Sequence, residues 1–248
     1  MSGHSKWATI KHKKGAEDAK RGRIFTKLIK EITVAARIGG GDEDANPRLR
    51  TAVIKAKSAN MPKDNIERAI KKGTGDLDGI DYTELIYEAY GPGGVAILIE
   101  CLTDNKNRTA ADIRNILTKG GGNLGEAGCV AYLFQRKGVI AVDGEQFAED
   151  DVIDAALEAG ADDITNDGGY VEVLTEPEVF EPVLAALESA GIKNTSAEIT
   201  MVPDANVALD ENKTRKALHL IEIIDDHDDV QSVSTNLDIP DDFDFDAE

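Results

Sequence analysis

The residues best equipped for chemistry crowd into the first thirty, MSGHSKWATIKHKKGAEDAKRGRIFTKLIK. Nine of these are Lys or Arg (Lys6, Lys11, Lys13, Lys14, Lys20, Arg21, Arg23, Lys27, Lys30) and two are acids (Glu17, Asp18), in a chain whose formal net charge is -19. Such a local reversal of sign suits ionic contact with a polyanion. The chemistry is that of binding phosphate, not of making or breaking bonds. From Gly3 to Gly15 there is no helical or alternating apolar period, so an extended arm, or one ordered on binding, is expected. Trp7, the only tryptophan, is read as anchoring the arm to a hydrophobic core in preference to stacking on a base, and His4 and His12 add donors for phosphate. From Ala16 to about Ile38 the period becomes helical. Ile24, Phe25, Leu28, Ile29, Ile32, Ala35 and Ala36 share an arc of roughly 140°, and Lys20, Arg23, Lys27 and Lys30 an arc of roughly 80° on the other side, so one face is expected to pack and the other to face outward, positively charged. The nucleic-acid-binding set is therefore His4, Lys6, Trp7, Lys11, His12, Lys13, Lys14, Lys20, Arg21, Arg23 and Lys27.

The elements that must position this set follow from charge and period. Residues 1–72 hold 18 of the 28 cations and 8 of the 47 acids, a balance of +10 that leaves -29 for the rest. The switch falls in KKGTGDLDGIDY (71–82), whose three glycines suit a linker. Before it, Asn46 can cap and Pro47 can open a helix ending near Asn60, and Pro62 opens another that Gly73 is expected to stop. This helix pair has the outline of a helix-turn-helix, but no residue marks a base-reading helix, and packing alone accounts for it. After the linker the period is two. Strands are expected at 83–90 and 94–102, with Gly91-Pro92-Gly93-Gly94 as a hairpin turn, then a helix at 105–119 and a strand at 130–136. A βαββαβ series follows at 138–142, 147–159, 162–166, 169–175, 177–190 and 196–202, the ferredoxin-like order. One more helix (211–226) and strand (230–239) return to the earlier sheet.

Other chemistries lack support. Glu100, Asp104, Asn105, Lys106, Asn107 and Arg108 form a polar cluster where a strand hands over to a helix, which helix capping explains. His219 and His227 near Asp225, Asp226, Asp228 and Asp229 read as an exposed acidic turn and not as a metal set. Tyr87, Tyr90, Tyr132 and Phe134 are candidates for a base-stacking sheet face, but the acidic balance of that part of the chain opposes phosphate. Cys101 and Cys129 sit in apolar contexts as expected of buried free thiols. The N-terminus lacks an apolar signal core, and VAILI (95–99) is far short of the ~20 residues of a membrane span, so a cytoplasmic protein is expected. No catalytic group, cofactor or metal is expected.

Several strings resemble one family. GHSKWATIKHKKGAEDAKRGRIFTKLIKEI, NPRLR (46–50), NMPKDNIERAIKKGTG (60–75), YGPGGVA (90–96), LTDNKNRTAADIR (102–114) and GGNLGEAGCVAYLF (121–134) are similar to the YebC family. That family includes bacterial proteins described as probable transcriptional regulators and the mitochondrial translational activator of cytochrome oxidase. One departure is Ala89, where glycine is expected before the turn. The resemblance implies the layout already read from the periods, an α+β chain with an N-terminal three-helix domain followed by two ferredoxin-like α+β domains, one inserted in the other. The expected divisions are a basic helical domain with its arm (1–75), a discontinuous domain (82–136 plus 204–240), an inserted domain (137–203) and an acidic tail (241–248). The function expected is DNA binding and transcription regulation through the basic domain. The alternative the resemblance implies is a ribosome-associated translation factor that binds rRNA and relieves stalling on proline-rich stretches. The expected partners are nucleic acid (DNA or ribosomal RNA) and, in the second case, the ribosome, with no membrane and a monomeric chain.

The two roles within the arm separate on mutation. Lys11→Ala/Lys13→Ala/Lys14→Ala is expected to weaken binding to nucleic acid with little change in denaturant midpoint, because solvated lysines contribute charge and little packing. Trp7→Ala is expected to lower stability by up to about 3 kcal/mol and to weaken binding only as a consequence. Unfolding curves, with binding measured where both variants are folded, check both.

Overall fold

The computed structural model describes residues 18–167, 169–240 and 243. Three helices come first: α1 (Asp18–Gly39), α2 (Pro47–Ser58) and α3 (Lys63–Thr74). Asn46 organises their first junction. Its Oδ1 accepts the Leu49 N–H at the start of α2, while its Nδ2 donates to the carbonyls of Ala35 and Gly40 at the end of α1. One side chain thus serves as N-cap and as a tie between two helix ends. Ile32, Ala35 and Ala36 of α1 pack with Leu49, Val53 and Ala56 of α2 and with Ile66 and Ala69 of α3 in a core of their own, with Phe25, Leu28 and Ile29 at its margin. Ile24, which the period placed on the packing face, is exposed.

Gly73 does not stop α3. The helix runs to Thr74 and ends at Gly75, which adopts the left-handed conformation (φ 87°). Gly73 instead lies where α3 crosses α1. A Cβ there would fall 2.7 Å from the Ala36 Cβ and press on the Thr33 carbonyl oxygen.

The first sheet has the order β3-β1-β2-β9, with β1 (Thr83–Tyr90), β2 (Ala96–Thr103), β3 (Asn123–Leu124) and β9 (Val230–Thr235), antiparallel throughout. A 3-10 turn at Pro92–Gly94 joins β1 to β2, with Gly93 and Gly94 at positive φ as the hairpin requires. Helices α4 (Lys106–Lys119) and α7 (Glu211–Asp225) cover one face, enclosing Ile97, Ile99, Ile113, Leu117, Leu220, Ile221 and Ala89. The second sheet, of order β5-β6-β4-β7, is built from β4 (Phe134–Asp143), β5 (Asp163–Asp167), β6 (Tyr170–Thr175) and β7 (Asn194–Pro203). Helices α5 (Glu149–Glu158) and α6 (Phe180–Ser189) lie on one side, packed through Ile140, Val142, Val152, Val173, Phe180, Val183 and Leu187. Strand order and helix placement are those of a ferredoxin-like unit. A short parallel pair, β8 (Val207–Ala208) with β10 (Leu237–Asp238), completes the fold.

The expected strand at 130–136 is the main local departure. Residues Ala131–Leu133 form a 3-10 turn, Asn123–Leu124 is the edge strand of the first sheet, and β4 begins at Phe134 and continues to Asp143 without a break. Buried Glu88 on β1 supplies the reason. Its carboxylate accepts the N–H groups of Gly128, Val130 and Ala131, which bends the chain ahead of β4 and holds that carboxyl below its ordinary value despite the opposing effect of burial. Gly138 does not break the strand because its missing Cβ leaves room for Phe180, whose Cδ2 would lie 2.5 Å from it.

Gly73→Ala adds helix propensity of about 1 kcal/mol, yet overpacking against the α1 backbone is expected to dominate, with a net loss of about 1–3 kcal/mol. Urea unfolding of the full chain measures it, and Gly22→Ala, with open space around the added Cβ, provides the comparison.

Candidate nucleic-acid interface

Residues at 100° intervals place Arg23, Lys27, Lys30, Val34 and Arg37 on the face of α1 opposite its hydrophobic core. That face does not look outward as its composition suggested. It lies on the turn between α7 and β9, whose sequence DDHDD (225–229) supplies the counter-charges. Arg23 pairs with Asp226 at 2.5 Å, and Lys27 reaches Asp225 at 3.4 Å and also donates to its backbone carbonyl. Lys30 donates to Asp229 Oδ1 at 2.7 Å and to the Asp228 carbonyl at 2.9 Å, with its ammonium 5.5 Å from the centre of the Tyr82 ring. Asp225 and Asp229 are buried, so this turn is not the exposed acidic loop its composition implied. A run of like charge is normally solvated; here a complementary stripe nearly 200 residues earlier in the chain neutralises it.

Asp229 is the hub. Its Oδ2 accepts from Thr109 Oγ1 at 2.8 Å and from the Arg108 guanidinium at 2.9 Å, while Oδ1 takes Lys30. Burial alone pushes its carboxyl up, but the hydrogen bonds from Lys30, Arg108 and Thr109 outweigh that and hold it well below the ordinary 3.8. Arg108 also pairs with Asp104 at 2.8 Å, and Asn105 caps α4 through the Arg108 N–H. The polar cluster at the end of β2 thus serves capping and this hub. An open cleft of about 740 Å³ runs beside it, lined by Arg23, Lys30, Tyr82, Arg108, His227 and Asp228 among others. Among the described residues no group of three or more His, Cys, Asp or Glu side chains could hold a metal.

Of the residues assigned to nucleic-acid binding, His4, Lys6, Trp7, Lys11, His12, Lys13 and Lys14 lie outside the described residues. Lys20 falls within α1. Arg21 is exposed, with its guanidinium 5.4 Å from the Phe25 ring centre. Arg23 and Lys27 are engaged with the acidic turn. Sequence reasoning passed over Arg68, Lys71 and Lys72, which are exposed on the outer arc of α3, opposite buried Ile66, Ala69 and Gly73, and carry no ion pair among the described residues. Their signal was the absence of apolar residues at those positions of an amphipathic period. The tyrosine face fares differently. Tyr87 and Tyr90 donate their hydroxyls to the carbonyls of Lys106 and Cys129, Phe134 is buried, and Tyr132 alone of the four is exposed.

Taken together, three basic helices sit by ionic contacts on an acidic two-sheet α+β body, which defines a class. Profiles of the TACO1/YebC N-terminal domain and of the TACO1/YebC second and third domain match residues 5–76 and 82–237. The chain belongs to the TACO1/YebC family. It is 62% identical over 245 residues, covering 99% of both chains, to a protein of Treponema denticola named "Probable transcriptional regulatory protein", and 60% identical over 241 residues, 97% of this chain and 98% of the other, to a protein of Desulforapulum autotrophicum with the same description. Its fold matches the crystal structure of the conserved hypothetical protein Aq1575 from Aquifex aeolicus, with a TM-score of 0.81, 47% identity, and 90% of this chain and 92% of that one covered.

A carboxyl whose folded value lies below its unfolded value stabilises fully above the unfolded value and loses that contribution as pH falls through the folded one. For Asp229 the loss begins near pH 4 and continues downward. Asp229→Asn is expected to cost about 3 kcal/mol at pH 7, as for a buried pair broken on one side, and to flatten the dependence of stability on pH below 4. Denaturant titrations of both proteins from pH 7 to pH 3 measure the two effects.

Proposed function

We propose that the protein is a non-enzymatic, cytoplasmic regulator of gene expression that binds nucleic acid through its basic N-terminal region. The observation that carries this reading is the segregation of charge. The first 72 residues have a balance of +10 on a body of -29, and after the interface pairs are formed, Arg21, Arg68, Lys71 and Lys72 remain exposed without an ion pair among the described residues. Phosphate contact needs such cations and supplies most of non-specific affinity. The arm adds Lys6, Lys11, Lys13 and Lys14 to the same end of the chain, and the acidic body is suited to repel contacts elsewhere. The relatives' name, probable transcriptional regulatory protein, favours control of transcription, and on that reading the partner is DNA.

A second reading, binding to ribosomal RNA in support of translation, is favoured by the outer surface of α3. A recognition helix meets base edges with its N-terminal residues, but in the first two turns of α3 exposed Lys63 and Arg68 are balanced by exposed Asp64 and Glu67, with Lys63 paired to Glu67, and the unopposed cations Lys71 and Lys72 stand in the last turn. Such an arrangement suits a phosphate backbone better than a major groove.

Crosslinking in cells followed by sequencing of the attached nucleic acid separates the two: reads concentrated in promoters favour the first reading, and reads concentrated in ribosomal RNA the second. In vitro, Arg68→Gln/Lys71→Gln/Lys72→Gln is expected to reduce the slope of log affinity against log salt by about 2–3, because each lost phosphate contact removes roughly 0.7–0.9. An unchanged slope removes α3 from the interface.

A further inference from the structure

Six ion pairs join α1–α3 to the remainder of the chain among the described residues, and in each the cation is on the helical side. Among the described residues no apolar cluster spans this boundary, and the helical core and the sheet cores are separate. The six pairs are of two kinds. Lys30–Asp229 and Lys27–Asp225 are buried, with side chains 9 and 5% and 14 and 10% exposed. In the other four, Arg23–Asp226, Arg37–Asp81, Arg48–Glu84 and Lys55–Glu198, every side chain is at least a third exposed. Exposed pairs are individually weak and screened by salt. Carboxylate and phosphate are also interchangeable partners for a guanidinium or ammonium, since both present paired anionic oxygens.

We infer that Glu84, Glu198 and Asp226 occupy the positions of phosphate groups in the free protein, and that nucleic acid exchanges with them while the helical region rocks about its two buried lysine contacts. The exchange frees Arg23 and Lys55 for the incoming backbone and opens the position beside Arg48 that Glu84 held, with Arg48 itself still oriented by Glu31 of α1. It rests on the nucleic-acid reading above and gives that site its regulation. A first contact uses the arm and the outer surface of α3, and only a ligand dense enough in phosphate to compete with carboxylates engages the inner set. The closed form therefore holds affinity below what the full set of cations can reach, and the body acts as a threshold against short or sparse polyanions.

The test uses the full chain in three forms: wild type, an interface variant (Glu84→Gln/Glu198→Gln/Asp226→Asn), and a control with the same charge change on exposed residues of the second sheet unit (Glu145→Gln/Glu158→Gln/Glu188→Gln). Binding is read by fluorescence anisotropy with a single-stranded RNA and with a DNA duplex, each of about 20 nucleotides per strand. Spin labels at Lys63→Cys and Glu181→Cys on a Cys129→Ser background report the separation of the two regions. Cys101 stays unlabelled because it is buried and its thiol is pushed up to about 12 by burial and by Asp229. The interface variant is expected to bind about tenfold more tightly than the control, the strength of three exposed pairs. The wild-type separation is expected to lengthen on adding nucleic acid, and that of the interface variant to be long without it. Equal affinities of variant and control, or a wild-type separation unmoved at saturation, overturns the exchange and leaves the nucleic-acid reading intact. Failure of wild type to bind either probe overturns that reading and this inference with it.

Discussion

The placement of the helical region depends on one buried ion pair. Removing Lys30 and Asp229 from water costs several kcal/mol per ion, and their mutual attraction offsets this only where the remaining oxygens and protons are also satisfied. Here they are: Asp229 takes Arg108 and Thr109 on its second oxygen, and Lys30 takes the Asp228 carbonyl. Asp229 precedes the last strand of the first sheet and Thr109 lies in α4, so a single carboxylate registers α1, α4 and β9 against one another. An apolar contact of equal strength would tolerate sliding; four directed hydrogen bonds do not.

The two sheets are joined by different means. Leu98 and Ala96 on the second face of the first sheet pack with Val130 and Phe134, and Met201 of β7 closes the cluster. Phe134 is also the first residue of β4, which runs uninterrupted into the second sheet. That junction is apolar and covalently continuous, and salt does not weaken it. At the junction with α1–α3 every ion pair among the described residues sets a helical cation against an acid of the body. The molecule therefore has one salt-tolerant seam and one salt-sensitive seam, and the second faces the region that carries the excess of positive charge.

What the sequence disclosed was local. The helices at 47–58 and 106–119 follow from Asn46, Pro47 and Asn105, whose capping chemistry acts within three residues, and the alternation of β1 and β2 follows from the pleat. Gly73 misled because it was read as a stop, whereas it is demanded by Thr33 and Ala36 of α1, which press on it from far along the chain. The strand expected at 130–136 failed for a similar reason, since a carboxylate more than 40 residues away takes its N–H groups. Charge behaved the same way at larger scale. The basic stripe of α1 and the DDHDD turn were each visible, but a single sequence gives no indication that they meet, so both were assigned to solvent.

The separation between those two partners has a consequence in time. Lys30 and Asp229 are 199 residues apart, and at roughly 5–20 residues per second a ribosome completes the acidic turn some 10–40 s after the helix it will hold. The helical core needs nothing from downstream: its apolar partners all lie between Phe25 and Ile70. Asp81 and Glu84 reach Arg37 and Arg48 soon after the helices are made, but Arg23, Lys27 and Lys30 stand without their acidic partners until the turn at 225–229 has been added.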